Sequence, residues 1–240
     1  MDKQSIREEI WDALEDDGIA RFPFPPHDRI PNFAGATEAA ERLTATEAWA
    51  GADVVKANPD APQLPVRRRA LRAGKTVYVA VPRLADEHPF RALDPERIDA
   101  TDGASIDDAT TISGIDEYGE AVGPDEVPHV ELIVSGSVAV SPAGTRIGKG
   151  EGYSDLEFAV LSELGAVDGD TSVVTTVHER QVEDSLPTAD SHDVPLDLIV
   201  TPEQVLETGS DRNDRPDGID WSLLDDDRIA EIPVLQQLRP

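Results

Sequence analysis

An alternation of β-rich and helix-forming segments predicts that this chain folds as an α/β protein. Apolar, β-branched runs occupy residues 76–82 (TVYVAVP) and 130–140 (VELIVSGSVAV), and similar runs follow at 172–178 and 196–201. A helical pattern at 152–166 follows a glycine-rich turn and precedes the third run. Strand, glycine turn, helix and strand in succession is the layout of a sheet covered by helices.

The amino-terminal part is predicted to hold helices separated by a proline-rich stretch. Residues 3–17 place apolar side chains at helical spacing, and Gly18 is the expected stop. The stretch FPFPPHDRIPNF (22–33) contains four prolines, so we expect it to lie extended over the body, anchored by its aromatic side chains. Residues 37–49 are expected to be helical, and residues 63–75 form a further helix ended by a glycine.

The sequence predicts secondary structure in some of the remaining segments and none in others. Between residues 85 and 120 the pattern weakens into Asp, Gly and Pro, and no element is predicted. Residues 130–140 are interpreted as a buried strand interrupted by Ser135 and Gly136. After Thr208 the chain is acidic and glycine-rich until apolar residues return near its end, which predicts a docked terminal helix.

The composition is strongly acidic. The 49 Asp and Glu residues against 21 Lys and Arg residues give a formal net charge of −28. Such a surface repels phosphate backbones and anionic lipids, which disfavours nucleic-acid and membrane binding. It is typical of a protein kept soluble in concentrated salt, where the Debye length falls to about 3 Å at 1 M. We therefore expect a halophilic protein, with an ordinary acidic protein as the alternative.

Two absences narrow the possible chemistry. Because the sequence contains no cysteine, disulfides, thiolate metal sites and cysteine nucleophiles are excluded.

The amino-terminal residues lack an apolar stretch of signal-peptide length, and no run approaches the about 20 apolar residues of a membrane span. A cytoplasmic protein is expected, as a monomer or a small homo-oligomer.

The segment TRIGKGEGYSD (145–155) concentrates cations and glycines between a predicted strand and a predicted helix. Ligands bind at this place in α/β proteins, and glycines let the backbone approach a phosphate closely. Arg146 and Lys149 would neutralise phosphate charge, and Asp155 is available for a metal ion. The spacing matches neither a Walker A loop nor the dinucleotide fingerprint, so a simple tight turn is the alternative.

Other candidate residues carry weaker signals. The five histidines are scattered and show no zinc-ligand spacing. Ser135 and Ser137 do not form a nucleophile elbow. His192 and Asp193 immediately precede a predicted buried strand, where they are either functional loop residues or a strand cap.

Three separated segments together resemble the 5-formyltetrahydrofolate cyclo-ligase (methenyltetrahydrofolate synthetase) family. KQSIR (3–7) is similar to the family's amino-terminal Lys-x-x-x-Arg, and GTRIGKGEGYSD (144–155) resembles its glycine-rich loop. RQVEDSLPTADSHDVPLDLIVT (180–201) resembles its Gln, Leu-Pro, His-Asp and Thr spacing. FPFPPHDRIPNF and the ending IAEIPVLQQLR are also similar to the methenyltetrahydrofolate synthetase domain-containing subfamily.

The resemblance implies a fold, a domain organisation and a reaction. The implied fold is a three-layer α/β sandwich with a mostly parallel sheet, like that of sugar-phosphate isomerases and CoA transferases. Residues 1–208 would form the family's domain, and 209–240 an acidic linker with a C-terminal docking segment. The implied reaction is the ATP- and Mg²⁺-dependent conversion of 5-formyltetrahydrofolate to 5,10-methenyltetrahydrofolate, with ADP and phosphate released.

The resemblance also implies roles for individual residues. Lys3, Arg146 and Lys149 would be catalytic, and Asp155 and Asp193 would bind Mg²⁺. The residues expected to hold ATP are Lys3, Arg7, Arg146, Gly148, Lys149, Gly150, Gly152 and Tyr153. In place of the family's folate-binding Glu-x-x-Thr the chain has NPDAPQL (58–64), where Asp60 is the possible stand-in.

Departures from the family pattern keep other functions open. Ser154 replaces the second aromatic residue of the loop, and Glu151 adds a negative charge beside it. With the altered folate segment, they favour as an alternative a non-catalytic nucleotide-binding module with a regulatory or RNA-associated role. ATP-dependent action on another small molecule is the third possibility.

Overall fold

The computed structural model describes residues 2–240, which form a central sheet covered by helices on both faces. The strands are β1 (Ala20–Arg21), β2 (Asn32–Phe33), β3 (Val54–Ala57), β4 (Thr76–Ala80), β5 (Phe90–Leu93), β6 (Glu120–Val122), β7 (Leu132–Ser135), β8 (Ala139–Val140), β9 (Arg146–Ile147), β10 (Ser172–Thr176), β11 (Leu198–Val200) and β12 (Val205–Glu207). The helices are α1 (Lys3–Asp16), α2 (Ala36–Leu43), α3 (Glu47–Ala50), α4 (Leu64–Arg72), α5 (Pro95–Ala100), α6 (Ile106–Ala109), α7 (Ile112–Tyr118), α8 (Tyr153–Glu163), α9 (Asp226–Glu231) and α10 (Pro233–Leu238). None of the helices in residues 2–240 is long and apolar enough to cross a membrane.

The central sheet of this part of the chain has eight strands in the order β12-β11-β10-β7-β3-β4-β5-β6. Its five middle strands, from β11 to β4, are parallel, and the strands at both edges are antiparallel. From β3 the chain first adds β4 on one side and later β7 on the other. Such a reversal opens a crevice at the carboxyl ends of the two strands, where α/β proteins bind ligands.

Apolar side chains alternate between the two faces of the sheet, as strand geometry requires. In β4, Val77 and Val79 pack on one face with α2 and α4, whereas Tyr78 and Ala80 pack on the other face with α8. In β7 the buried Ile133 likewise lies on the α8 face. The predicted three-layer α/β fold with a mostly parallel sheet is confirmed.

The amino-terminal helix lies close to its predicted bounds, and the next one is divided. The side chain of Asp2 caps α1 by accepting a hydrogen bond from the Ser5 amide at 2.9 Å, and Gly18 follows the helix at φ 67°. The predicted helix 37–49 is two helices, because the Thr46 side chain accepts a hydrogen bond from the Trp49 amide and starts α3.

The proline-rich stretch connects β1 and β2, which pair antiparallel, and has no regular structure between them. The expected aromatic anchoring is correct only for Phe33, which is 2% exposed. It is wrong for Phe22 and Phe24, whose exposures are 78% and 57%. Burial of Phe33 and Ile30 fixes one end of the stretch and leaves the two other aromatic residues in solvent.

The segment between residues 85 and 120, where no element was predicted, contains β5, α5, α6, α7 and β6. The polar residues that obscure its pattern are helix caps: Asp94, Ser105 and Thr111 each accept a backbone amide hydrogen bond at the start of a helix. Caps and short helices leave little room for an apolar repeat, which explains the missed prediction.

The apolar run 130–140 is not one interrupted strand but two strands of different sheets. It enters the central sheet as β7, ends at Ser135, and continues as β8, which pairs with β9 in a separate two-stranded sheet. At Gly136 a Cβ atom would lie 2.9 Å from the Ile30 side chain. The chain changes sheets where the backbone makes this close approach.

The C-terminal segment is docked by apolar and ionic contacts. Ile229 of α9, Leu235 of α10 and Ile232 between the two helices are buried in the same core as Phe158 of α8. Before these helices, Arg215 is buried with its side chain 4% exposed, and its Nη2 lies 2.6 Å from an Asp197 carboxylate oxygen. The guanidinium also donates to the Thr171 carbonyl at 2.7 Å.

We predict that Asp197→Ala lowers the free energy of unfolding by about 3–5 kcal/mol, because it leaves the buried Arg215 guanidinium without its counter-charge. Urea unfolding measures the change. The control is Asp107→Ala, which removes an exposed carboxylate paired with Arg68 and Arg72. That substitution should cause a much smaller loss. Equal losses in both variants would contradict the role given to the buried pair.

Candidate functional site

A cavity of about 540 Å³ lies at the carboxyl ends of β3, β4 and β7. Asn58, Val81 and Gly136, which follow these three strands, line it. The cavity therefore lies at the point where the strand order reverses, as the fold favours.

The predicted site residues converge on this cavity from distant parts of the sequence. They lie on α1, in the loop after β3, in the segment from β9 to the first turn of α8, and in the loop before β11. The residues that line the cavity include Lys3, Arg7, Asp60, Arg146, Gly148, Lys149, Gly150, Gly152, Tyr153, Asp155 and Asp193. Lys3 and Asp193, which are 190 positions apart, form a direct hydrogen bond of 2.8 Å.

Positive charge is concentrated around the cavity relative to the rest of the chain. The basic lining residues are Lys3, Arg7, Arg83, Arg146 and Lys149, out of 21 Lys and Arg in the sequence. The acidic lining residues are Asp60, Glu151, Asp155, Glu157 and Asp193, out of 49 Asp and Glu. Basic and acidic groups are thus balanced here, although the whole chain is strongly acidic. Such a wall suits a polyanionic ligand.

The glycine loop lies directly against two guanidinium groups. A Cβ atom at Gly148 would lie 3.0 Å from Nη1 of Arg146, and one at Gly150 would lie 3.3 Å from Cζ of Arg7. Gly150 also has φ 106°, in the left-handed region that favours glycine. Nε of Arg7 donates to the Gly148 carbonyl at 2.7 Å. The glycines therefore let the loop backbone and the two arginines pack together.

A buried ion pair joins the loop to α8. Nη2 of Arg146 lies 2.7 and 2.6 Å from the two carboxylate oxygens of Asp155, and Nη1 donates to the Gly136 carbonyl at 3.0 Å. Burial acts to lower the pKa of Arg146, but the Asp155 carboxylate and its hydrogen bond outweigh burial and raise the pKa. Arg146 is therefore a fixed positive charge in the cavity wall.

The second pair lies beside the first. Nζ of Lys3 contacts Asp193 at 2.8 Å and Asp190 at 2.9 Å. Burial acts to lower the pKa of Lys3, whereas the hydrogen bonds that it donates to these two carboxylates raise it, and the net shift is upward. The Val194 amide donates to Oδ1 of Asp155 at 3.1 Å, so the loop holding Asp193 is tied to the first turn of α8.

The carboxylates on this wall offer donors that suit a hard cation. Ligand atoms of Asp190, His192 and Asp193 lie within 4.8 Å of one another. Oδ2 of Asp193 accepts hydrogen bonds from Lys3 and from the Asp190 amide, whereas its Oδ1 accepts none within residues 2–240. Both oxygens of Asp155 accept from Arg146. The donor set fits Mg²⁺ held by a few protein oxygens together with ligand oxygens.

Asp60 faces the same cavity from the loop after β3. Its Oδ2 lies 3.4 Å from the position that a Cβ atom at Gly136 would take. Burial raises the pKa of this carboxyl above its ordinary value of 3.8, and the positive charges of Lys149 and Arg67 only partly oppose the shift.

Two charged contacts of the site were not predicted from the sequence. Lys56 on β3 and Glu157 on α8 form a buried ion pair, and Glu157 lines the cavity. A lysine inside the otherwise apolar strand VVKA is a signal that could have pointed to this pair. Arg228 on α9 contacts Glu151 and Tyr153 of the loop, and nothing in its own segment indicates this contact.

Comparison with known proteins places these features in a family. The model of the 5-formyltetrahydrofolate cyclo-ligase family matches residues 1–202. All of the chain aligns with the methenyltetrahydrofolate synthase domain-containing proteins of Bos taurus, at 44% identity, and Mus musculus, at 45% identity. The chain spans 62% and 63% of the length of these two relatives.

A solved structure shows the same fold. The NMR structure of Aquifex aeolicus 5,10-methenyltetrahydrofolate synthetase matches with a TM-score of 0.55 and 18% sequence identity. The match covers 88% of this chain and 95% of that one. Since the family model matches residues 1–202 and the alignments with these two relatives cover all of this chain at 44% and 45% identity, the chain belongs to the 5-formyltetrahydrofolate cyclo-ligase family.

Proposed function

We propose that this protein is an ATP-dependent 5-formyltetrahydrofolate cyclo-ligase that forms 5,10-methenyltetrahydrofolate and releases ADP and phosphate. One observation carries the proposal: in a chain of this family, Lys3, Arg7, Arg146 and Lys149 line one cavity with the glycine loop. Basic groups and loop backbone at the carboxyl edge of a parallel sheet suit a triphosphate.

The reaction proceeds by phosphoryl transfer followed by ring closure. The formyl oxygen attacks the γ-phosphorus of ATP, and the bond from that phosphorus to the β,γ-bridging oxygen breaks, so ADP leaves. N10 then attacks the formyl carbon and loses its proton, and the carbon–oxygen bond breaks to release phosphate. Phosphoryl transfer depends mainly on charge neutralisation and alignment, which fixed cations supply.

The cations differ in how firmly they are held, which suggests a division of roles. Arg146 is buried and fixed by Asp155, so it provides an immobile charge for a phosphate group. Lys149 lies 2.7 Å from Glu151, and both side chains are 39% exposed, so their pairing is weak and Lys149 can turn toward phosphate. Lys3 and Arg7, one helical turn apart on α1, complete the positive wall.

We assign Mg²⁺ to Asp193, with Asp155 beside it. Mg²⁺ held there would neutralise phosphate charge. Asp193 has the freer oxygen, whereas Asp155 acts first as the partner of Arg146. We assign Asp60 to the folate side of the cavity, where its carboxyl group faces the end of β7.

The direct test is the formation of methenyltetrahydrofolate, which is followed by its absorbance. The assay contains ATP and Mg²⁺ and is repeated over a series of salt concentrations. Turnover that requires both ATP and 5-formyltetrahydrofolate supports it. If ATP raises the melting temperature but no product forms, a non-catalytic nucleotide-binding module, regulatory or RNA-associated, is favoured instead. If another metabolite is needed for stabilisation with ATP, action on that small molecule is favoured.

We predict that Lys149→Ala raises KM for ATP about tenfold or more, because one charge is removed from the phosphate wall. The melting temperature should stay unchanged, since Lys149 and its partner Glu151 are both exposed. Steady-state kinetics and thermal unfolding measure the two effects. Arg180→Ala, which removes an exposed arginine paired with Asp17, is the control with unchanged kinetics. Wild-type KM in the Lys149 variant would refute this role.

We predict that Asp193→Asn raises the Mg²⁺ concentration needed for half-maximal activity by about tenfold or more, because it weakens the proposed ligand. A Mg²⁺ titration at fixed ATP measures it. Asp107→Asn is the control, since this exposed carboxylate pairs with Arg68 and Arg72 and does not line the cavity. The metal assignment is wrong if the Mg²⁺ dependence is the same in both variants.

We predict that Asp60→Asn raises KM for the folate substrate and leaves KM for ATP unchanged.

The same substitution should alter the pH dependence of stability. The pKa of Asp60 is raised in the folded state, so ionisation of this carboxyl opposes folding. The penalty is absent below the unfolded pKa and develops as pH rises through the raised folded value. The variant should therefore gain melting temperature relative to wild type as pH rises through the range above about 4. A constant difference across this range would show that Asp60 is not the group responsible.

A further inference from the structure

We propose that Arg228, on α9, is a positioning residue that holds the glycine loop 148–153 in its ligand-binding conformation. Arg228 lies in the C-terminal segment, beyond residues 1–202 that the family model matches. The inference rests on the proposed function only in taking this loop to be the ATP-binding element.

Three contacts connect Arg228 to the loop. Nη1 donates to the Tyr153 hydroxyl at 2.8 Å, and Nη2 donates to the Glu151 carbonyl at 3.1 Å. Cζ of Arg228 lies 4.0 Å from the centroid of the Tyr153 ring, within the range of a cation–π interaction. One planar guanidinium therefore binds both the backbone and a side chain at the start of α8.

The loop depends on such contacts because it has little structure of its own. Gly150 and Gly152 have φ values of 106° and 71°, and neither residue belongs to a helix or strand. Fixing a residue in one backbone conformation costs about 1–2 kcal/mol, and glycine loses more freedom than other residues. A loop of this composition keeps a single shape only where its carbonyl groups are held.

Two arginines hold the loop from opposite ends. Arg7 of α1 donates to the Gly148 carbonyl at 2.7 Å, and Arg228 of α9 donates to the Glu151 carbonyl at 3.1 Å. Lys149 and Gly150 lie between the two fixed carbonyls. Removal of Arg228 takes away the donor to the Glu151 carbonyl and to the Tyr153 hydroxyl, so the segment between Gly148 and Glu151, with the Lys149 ammonium, would lose a defined position.

The backbone of Arg228 is held in place by buried neighbours and a helix cap, although α9 is short. The next residue, Ile229, is 6% exposed, and Ile232 and Leu235 are completely buried in the core that includes Phe158 of α8. The Asp225 side chain caps α9 by accepting a hydrogen bond from the Arg228 amide at 2.7 Å. Docking of the C-terminal segment therefore fixes the guanidinium relative to α8 and the loop.

The test compares Arg228→Ala with Arg239→Ala in the full chain. Arg239 belongs to the same segment and forms an exposed ion pair with Asp226 at 3.0 Å, away from the cavity. We expect Arg228→Ala to speed hydrogen–deuterium exchange where the loop joins α8, at the Leu156 amide that donates to the Gly152 carbonyl at 3.1 Å, about tenfold, and Arg239→Ala to leave this loop exchange unchanged. In turnover assays Arg228→Ala should raise KM for ATP about tenfold with little change in kcat.

Two further variants separate positioning from a general structural effect. Arg228→Lys keeps a cation near the Tyr153 ring but cannot make both hydrogen bonds in one plane, so it should restore part of the protection. Tyr153→Phe keeps the ring and removes only the hydroxyl, so it should speed loop exchange less than Arg228→Ala.

The outcomes decide the inference independently of the proposed activity. If loop exchange is the same in Arg228→Ala and Arg239→Ala, or if exchange rises equally in the central strands, the positioning role is overturned. If the wild type shows no ATP turnover, the proposed function fails while the exchange measurement still decides the role of Arg228.

Discussion

The buried ion pair between Arg146 and Asp155 is the contact around which the site is assembled. A guanidinium removed from water is tolerated only with a counter-charge and with its donors satisfied. Here the partners are the Asp155 carboxylate and the Gly136 carbonyl, and the carboxylate also accepts from the Val194 amide. Four segments that are separate in sequence meet at this pair: the end of β7, strand β9, the first turn of α8 and the loop before β11.

The pairing of charges around the cavity explains how so acidic a chain can offer the proposed site for an anion. Asp155, Asp193, Glu157 and Glu151 each have a basic partner within the protein. These carboxylates therefore orient lysines and arginines rather than repel a phosphate. The ion pairs differ in burial, from Lys56–Glu157 in the interior to Lys149–Glu151 at the surface. The burial of these ion pairs therefore decreases from the interior end of the cavity to its surface.

Local patterns in the sequence predicted much of the fold and of the site, and the missed parts have a common physical cause. The glycine loop was identified from its position between an apolar run and a helical pattern, whereas the site roles of Lys3 and Arg7 were implied only by the resemblance to the family. The Lys56–Glu157 pair joins residues 101 positions apart, and Arg228 meets Tyr153 across 75 positions. Contacts of this kind depend on how the helices pack against the sheet. The local spacing of residues in the sequence does not reveal them. In residues 85–120 the difficulty was different, because helix caps have the composition of loops.

The residues that form ion pairs around the cavity are far apart in the sequence, which affects when these pairs can form during synthesis and folding. Lys3 meets Asp193 across 190 positions, so a chain leaving the ribosome carries α1 without its partner until the loop before β11 has emerged. Contacts between such distant residues form late, because the entropy of closing a long loop must be overcome first. An incomplete chain would therefore expose the basic face of α1 without its counter-charges, and binding competence would appear only near the completion of the fold.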